Sequence, residues 1–204
     1  MQKWELLNYL LILVYLIYLL LKGNFLRIQL PKIFLQFLEL IILLIGLNYI
    51  SLGSTTTVFI FCPFGILYLP IMLLFTTPSL KYFMGFNYNL FSWARSVFFF
   101  PKLYVHIFFS TFLEELIWRS TYVNILRNIH INYFSILLSG SILFYLLHWP
   151  KKSKFTFMTE IELYIFSLFL YFIYLRTESL VVVWIIHFIR NSYIKFFRLT
   201  LNNA

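Results

Sequence analysis

Charge is what this chain has least of. Only 11% of its 204 residues are charged, and aspartate is absent altogether. A soluble globular domain carries about 25% charged residues. With 62% hydrophobic residues gathered in long runs, the deficit excludes a soluble domain and points to an integral membrane protein. Cysteine is nearly absent too: Cys62 is alone and lies in an apolar segment. One thiol can form neither an intramolecular disulfide nor a cysteine-based metal cluster, so it reads as an inert core group. Glycine and proline number six each, and there is no internal repeat and no low-complexity segment. The net charge of +9 is not gathered into a basic run as long as a nucleic-acid tail. A nucleic-acid partner is therefore not expected, and the membrane surface accounts for the excess. The first apolar run, Leu6 to Leu21, is longer than a signal-peptide core and has no small-x-small cleavage site after it, so it reads as an uncleaved span.

What is present is a series of apolar segments, each close to the ~20 residues a membrane-crossing helix needs. They predict an all-α transmembrane bundle of about seven spans, near 4–21, 33–51, 57–76, 103–126, 131–149, 157–175 and 179–199. Pro63 and Pro70 predict a kink in the third. Residues 79–101 mix Lys81, Arg95 and Trp93 with Phe98-Phe99-Phe100-Pro101, which reads as an interfacial amphipathic stretch before the fourth span. Eleven Lys and Arg fall in loops on one side of this arrangement and three on the other. The bias places the N-terminus outside and the C-terminus in the cytoplasm, most simply in a prokaryotic plasma membrane.

Three elements carry chemistry. The first is Phe112-Leu-Glu-Glu-Leu-Ile-Trp-Arg119, which sets two carboxylates and a guanidinium in an otherwise apolar span. A charge at membrane depth costs about 2.5–3.5 kcal/mol even on the mild insertion scales, so three together mark a functional site. On a helix Glu115 and Arg119 are four apart and can pair, while Glu114 is rotated by about 100° and points elsewhere. One carboxylate can then be held while its neighbour stays free to react. The second element ends the fifth span, with Phe144 and His148 four apart; the third, in the seventh span, has His187 and Asn191 at the same spacing. Polar residues at such spacing face the bundle interior, because lipid offers them no partner. A carboxylate or neutral imidazole beside a water can act as general base. Imidazole and amide donors can stabilise an oxyanion.

The ordered trio Glu114-Glu115-x-x-x-Arg119, Phe144-x-x-x-His148 and His187-x-x-x-Asn191 resembles the CPBP family of intramembrane proteases, named for CAAX proteases and bacteriocin-processing proteins and also called Abi. The type II CAAX prenyl endopeptidases belong to it. The resemblance covers about residues 103–199; the earlier spans match only in being hydrophobic. It implies a catalytic core over 103–199, preceded by N-terminal helices and the interfacial segment over 1–102, in one membrane domain. It implies that Glu114 activates water with His148 as its partner, and that His187 and Asn191 stabilise the oxyanion. Glu115 and Arg119 would position one another or substrate, and Phe144 would pack. The implied mechanism needs no metal. A Glu/His/His zinc site is compatible with the residue types, although no H-E-x-x-H helix is present.

The expected function is hydrolysis of a peptide bond in a membrane-bound peptide or lipidated protein: a CAAX tail, leader peptide, pheromone or bacteriocin-like precursor. The alternative is a non-catalytic immunity or scaffold protein on the same fold. A transporter would more often show inverted repeats, and none is found. From the charge count, Glu114 lies about 16 Å in from Leu103 at 1.5 Å per residue, in the cytoplasmic half of the bilayer. Arg190 is expected to snorkel or pair with a carboxylate. Glu160 and Glu162 read as a charge cluster at the water boundary with Lys151, Lys152 and Lys154. Glu39 either pairs with Lys32 or Arg27 or lines the cavity, and His106 bonds a neighbouring helix.

Overall fold

A computed structural model describes residues 7, 9–14, 17–18, 32–76, 86–148 and 157–202. Among them every regular element is helical. In order these are α1 (Lys32–Gly46), α2 (Thr55–Phe61), α3 (Pro63–Thr76), α4 (Phe86–Phe99), α5 (Val105–Glu115), α6 (Tyr122–Asn128), α7 (Tyr133–His148), α8 (Phe157–Thr177) and α9 (Leu180–Asn202). Short 3-10 turns follow α1 at Leu47–Tyr49 and α4 at Pro101–Leu103.

Three stretches are long and apolar enough to cross a membrane: Thr55–Leu73 (19 residues), Phe157–Thr177 (21) and Leu180–Phe197 (18). Gln36–Tyr49 and Tyr133–His148 are shorter apolar helices. The expected kink of the third span is a break at Cys62 between α2 and α3. Pro63 opens α3 where its missing N–H costs nothing, whereas Pro70 lies within the helix. Ser54 starts α2, its Oγ accepting from the Thr57 amide at 3.1 Å. Of the expected interfacial stretch, residues 79–85 lie outside the described residues. The remainder forms α4, whose buried Trp93 donates to Ser192 Oγ at 3.2 Å and so ties α4 to α9. The lysines of residues 151–154, and half of the first span, also lie outside the described residues.

α5, a π-helical turn at Leu116–Thr121 and α6 run on as one rod. In the π turn the Tyr122 amide bonds Ile117 O, five residues back, and Thr121 Oγ1 caps Leu116 O at 2.8 Å. A return to four-residue spacing beyond Tyr122 passes over the Trp118 carbonyl. Tyr171 of α8 takes it, donating at 3.0 Å. All six side chains from Leu116 to Thr121 are buried, so the turn is enclosed by the bundle on every side.

α9 is the central element and packs against α3, α5 and α8. Val182, Val183, Ile186 and Tyr193 of α9 are fully buried, as are Leu69, Val123, Ile136, Phe166 and Leu170 around it. Its start is tied to the loop after α1: the Leu180 amide donates to Ser51 O and Ser179 Oγ to Leu52 O, both at 2.7 Å. Gly53 permits this, since its φ is +71° and a Cβ there would strike Ser179. α7 approaches α8 most closely at Gly140, where a Cβ would run into the Tyr171 ring. That approach brings the His148 end of α7 alongside α8 and α9. Outside, Phe59, Phe98 and Phe134 are exposed, as lipid-facing positions allow.

Candidate active site

Helix spacing puts Glu115 and Arg119 on one face, and the bundle buries both completely. Arg119 Nη1 donates to Glu115 Oε1 at 3.1 Å and Nη2 reaches Ser167 Oγ at 3.5 Å. The guanidinium lies between two rings, 4.2 Å from the centroid of Phe144 and 4.7 Å from that of Tyr171. Cation–π contacts of this kind gain strength away from water. Phe144 is buried, with the Arg119 cation against its ring.

The same Glu115 oxygen accepts from His187 Nδ1 at 2.5 Å. On the other side of the ring, Asn191 Nδ2 donates to His187 Nε2 at 2.9 Å. Glu115, Arg119, His187 and Asn191 thus form one continuous network between α5 and α9. Glu115 Oε2 has no hydrogen-bond partner among the described residues, so both donors converge on the other oxygen.

Glu114, one residue earlier, faces a different environment, with its side chain 36% exposed. Its Oε2 stands 3.8 Å from Nε2 of His148 and 3.8 Å from Nε2 of His187. These gaps are too long for direct hydrogen bonds. His148 Nδ1 donates to Phe144 O at 2.8 Å, which turns a bare Nε2 toward Glu114 while the ring is neutral. The structure thus brings together Glu114, Glu115, Arg119, Phe144, His148, His187 and Asn191.

Arg190 pairs with a carboxylate, as expected of it, and the partner is Glu162. That corrects the placement of Glu162 at the water boundary: its side chain is fully buried. Arg190 Nε donates to Glu162 Oε1 at 2.9 Å and Nη2 to Oε2 at 2.5 Å. Tyr68 of α3 adds a bond to Oε1 at 3.2 Å. A signal for this was present: an arginine inside a span needs a buried counter-charge, and few carboxylates remain once Glu114 and Glu115 are assigned. Glu39, which was read as pairing with Lys32 or Arg27 or lining the cavity, accepts from Tyr18 Oη at 3.0 Å. His106 is exposed rather than held between helices.

The residue types of Glu114, His148 and His187 would suit zinc. His187 Nε2, the nitrogen nearest Glu114, is occupied by the Asn191 amide. No group of three His, Cys, Asp or Glu among the described residues is placed to hold a metal ion.

Residues 96–193 match the family described as type II CAAX prenyl endopeptidase Rce1-like, a span that contains all seven of these residues. No curated protein and no solved structure matches.

Proposed function

We propose that this chain, which belongs to the CPBP family of CAAX proteases, is an intramembrane endopeptidase that hydrolyses a peptide bond of a membrane-associated substrate with water activated by Glu114. The observation that carries the reading is the pair of acceptors facing one another, Glu114 Oε2 and the bare Nε2 of His148, 3.8 Å apart. One water can give a hydrogen to each, which holds it with a lone pair directed outward. In the reaction Glu114 takes a proton from that water. The oxygen adds to the scissile carbonyl carbon, and the C–N bond breaks as the proton passes to the leaving amine. The negative oxygen of the tetrahedral intermediate needs a donor, and the second N–H of Asn191 Nδ2 supplies it. Glu115 and Arg119 hold His187, and through it Asn191, in place.

The partner class is a membrane-bound peptide or prenylated protein with its cleavage point near the cytoplasmic surface. In this reading the chain crosses seven times, with α4 along the interface and the C-terminus in the cytoplasm; the three long apolar spans and the two shorter apolar helices account for five of those crossings. The catalytic core is residues 103–199, supported by the helices of residues 1–102. The mechanism as drawn uses no metal.

The test is cleavage of a farnesylated peptide ending in a CAAX sequence by the full chain in lipid nanodiscs. Wild type is expected to release the three-residue tail and Glu114→Ala is not; equal cleavage by both would overturn the assignment. In cells, Glu114→Ala is expected to accumulate uncut membrane-associated peptides. Cleavage is expected to persist in EDTA and in 1,10-phenanthroline, and loss in either would return a metal to the mechanism.

A further inference from the structure

We propose that Arg190, clamped by Glu162, is a positioning residue that dictates which way the Asn191 amide faces and, through that amide, which ring nitrogen of His187 carries the proton. Its bearing on catalysis rests on the protease reading above; its bearing on the proton does not.

The argument follows the direction of each hydrogen bond. A guanidinium can only donate. Arg190 Nη1 lies 2.9 Å from Asn191 Oδ1, so the amide oxygen must face Arg190. The NH2 group then faces His187, with Nδ2 at 2.9 Å from Nε2. That nitrogen must accept, so the proton of the neutral ring sits on Nδ1, where the Glu115 carboxyl receives it. Arg119, a second obligate donor, closes the far end on the same Glu115 oxygen. Two guanidiniums therefore bracket the chain and fix every orientation between them. Glu114 Oε2, 3.8 Å from His187 Nε2, is an acceptor that would favour a proton there. The Asn191 amide, nearer and held by Arg190, prevails.

Arg190 is well placed to hold one orientation. Two of its nitrogens bind both oxygens of Glu162. Tyr68 steadies Glu162 through Oε1. The guanidinium lies 4.5 Å over the Phe166 ring, whose edge packs on His187. The arrangement also divides labour within the oxyanion site: a neutral His187 has no N–H left to offer an oxyanion, whereas Asn191 keeps one.

Two measurements test this. The first is the ring-nitrogen chemical shifts of 15N-histidine-labelled protein in nanodiscs, with His187 assigned by its loss in His187→Gln. Wild type is expected to show Nδ1 protonated and Nε2 bare. Arg190→Met is expected to show His187 Nε2 protonated in a substantial fraction of molecules. Because removing one partner of a buried pair can unfold a protein, Arg190→Met combined with Glu162→Met serves as the second variant; replacing a whole buried pair by apolar residues of similar size is often tolerated. A folded variant of either kind with wild-type His187 shifts overturns the proposal. The second is kinetic, on the same farnesylated peptide. Both variants are expected to lose about tenfold to a hundredfold in kcat with KM unchanged, short of the ~10²–10³ cost of deleting an oxyanion donor. A change confined to KM would place Arg190 in substrate binding and overturn the positioning role. A wild type that cleaves no prenylated peptide counts against the protease reading alone, and the nitrogen shifts, which need no substrate, still decide the tautomer.

Discussion

Glu114 and Glu115 are neighbours in the chain and opposites in the fold. Glu115 is fully buried, holding Arg119 and His187 on a single oxygen. Glu114 is 36% exposed, and its nearest charged or titratable neighbours are imidazoles at 3.8 Å. One residue of helix rotation separates a dry side, completed by Arg190 and Glu162, from a wet side shared with His148. The dry side has most of its donors and acceptors committed to fixed partners, as a tolerated buried polar network does; Glu115 Oε2 and Arg119 Nε are the exceptions there among the described residues. The wet side leaves two acceptors open to a water. The difference teaches that residue type does not determine role here; the direction a side chain leaves the helix does.

The comparison is broken most sharply by one substitution on each side. Glu114→Gln is expected to lower cleavage of the farnesylated peptide by about 10²–10⁴, the usual contribution of a general base. Its thermal midpoint in nanodiscs is expected to stay within about 0.5 kcal/mol of wild type, as for substitutions away from buried networks. On the dry side, Arg119→Met is expected to destabilise the bundle by about 3–5 kcal/mol, since it strands the Glu115 carboxylate without its cation. Thermal unfolding read by tryptophan fluorescence checks both. If Glu114→Gln lost as much stability as Arg119→Met, the division into wet and dry sides would be wrong. His148→Ala should behave like Glu114→Gln in kind, with a cleavage loss of about 10² at unchanged stability.

The seven motif residues were legible because four-residue spacing is a local property of a helix. Glu115 and Arg119, Phe144 and His148, and His187 and Asn191 each share a face wherever their helices go, and lipid forbids those faces from turning outward. What could not be read is what depends on neighbours across space. The partner of Arg190 lies 28 residues away on α8, and Glu162 stands in the sequence between two apolar stretches much as an interfacial carboxylate would. The π turn has no local signature in Leu116–Thr121; it is recognised by its consequence, a carbonyl taken by Tyr171 from another helix. The closeness of α7 and α8 at Gly140 is likewise invisible until the Tyr171 ring is found against it. Helix existence and face were therefore open to reading, and helix adjacency was not.

The π turn is itself part of the dry side, and it gives the finest test of the comparison. Tyr171 stacks on Arg119 and donates to Trp118 O, so one side chain holds both the cation and the irregular turn that presents it. Tyr171→Phe keeps the ring and removes only the hydroxyl. The stranded carbonyl is expected to cost about 1–3 kcal/mol, the range for leaving a buried acceptor unpaired. Gly140→Ala acts on the same ring at its hydroxyl end, where the added Cβ would push it off the turn, and is expected to cost a comparable ~1–3 kcal/mol through overpacking. If hydroxyl and ring position act through one feature, the double variant should cost clearly less than the sum of the two, because a ring already displaced no longer reaches Trp118. Additive losses in thermal unfolding would instead mean that the close approach of α7 and the support of the π turn are independent. The dry side would then be two separate contacts in place of the single braced unit drawn here.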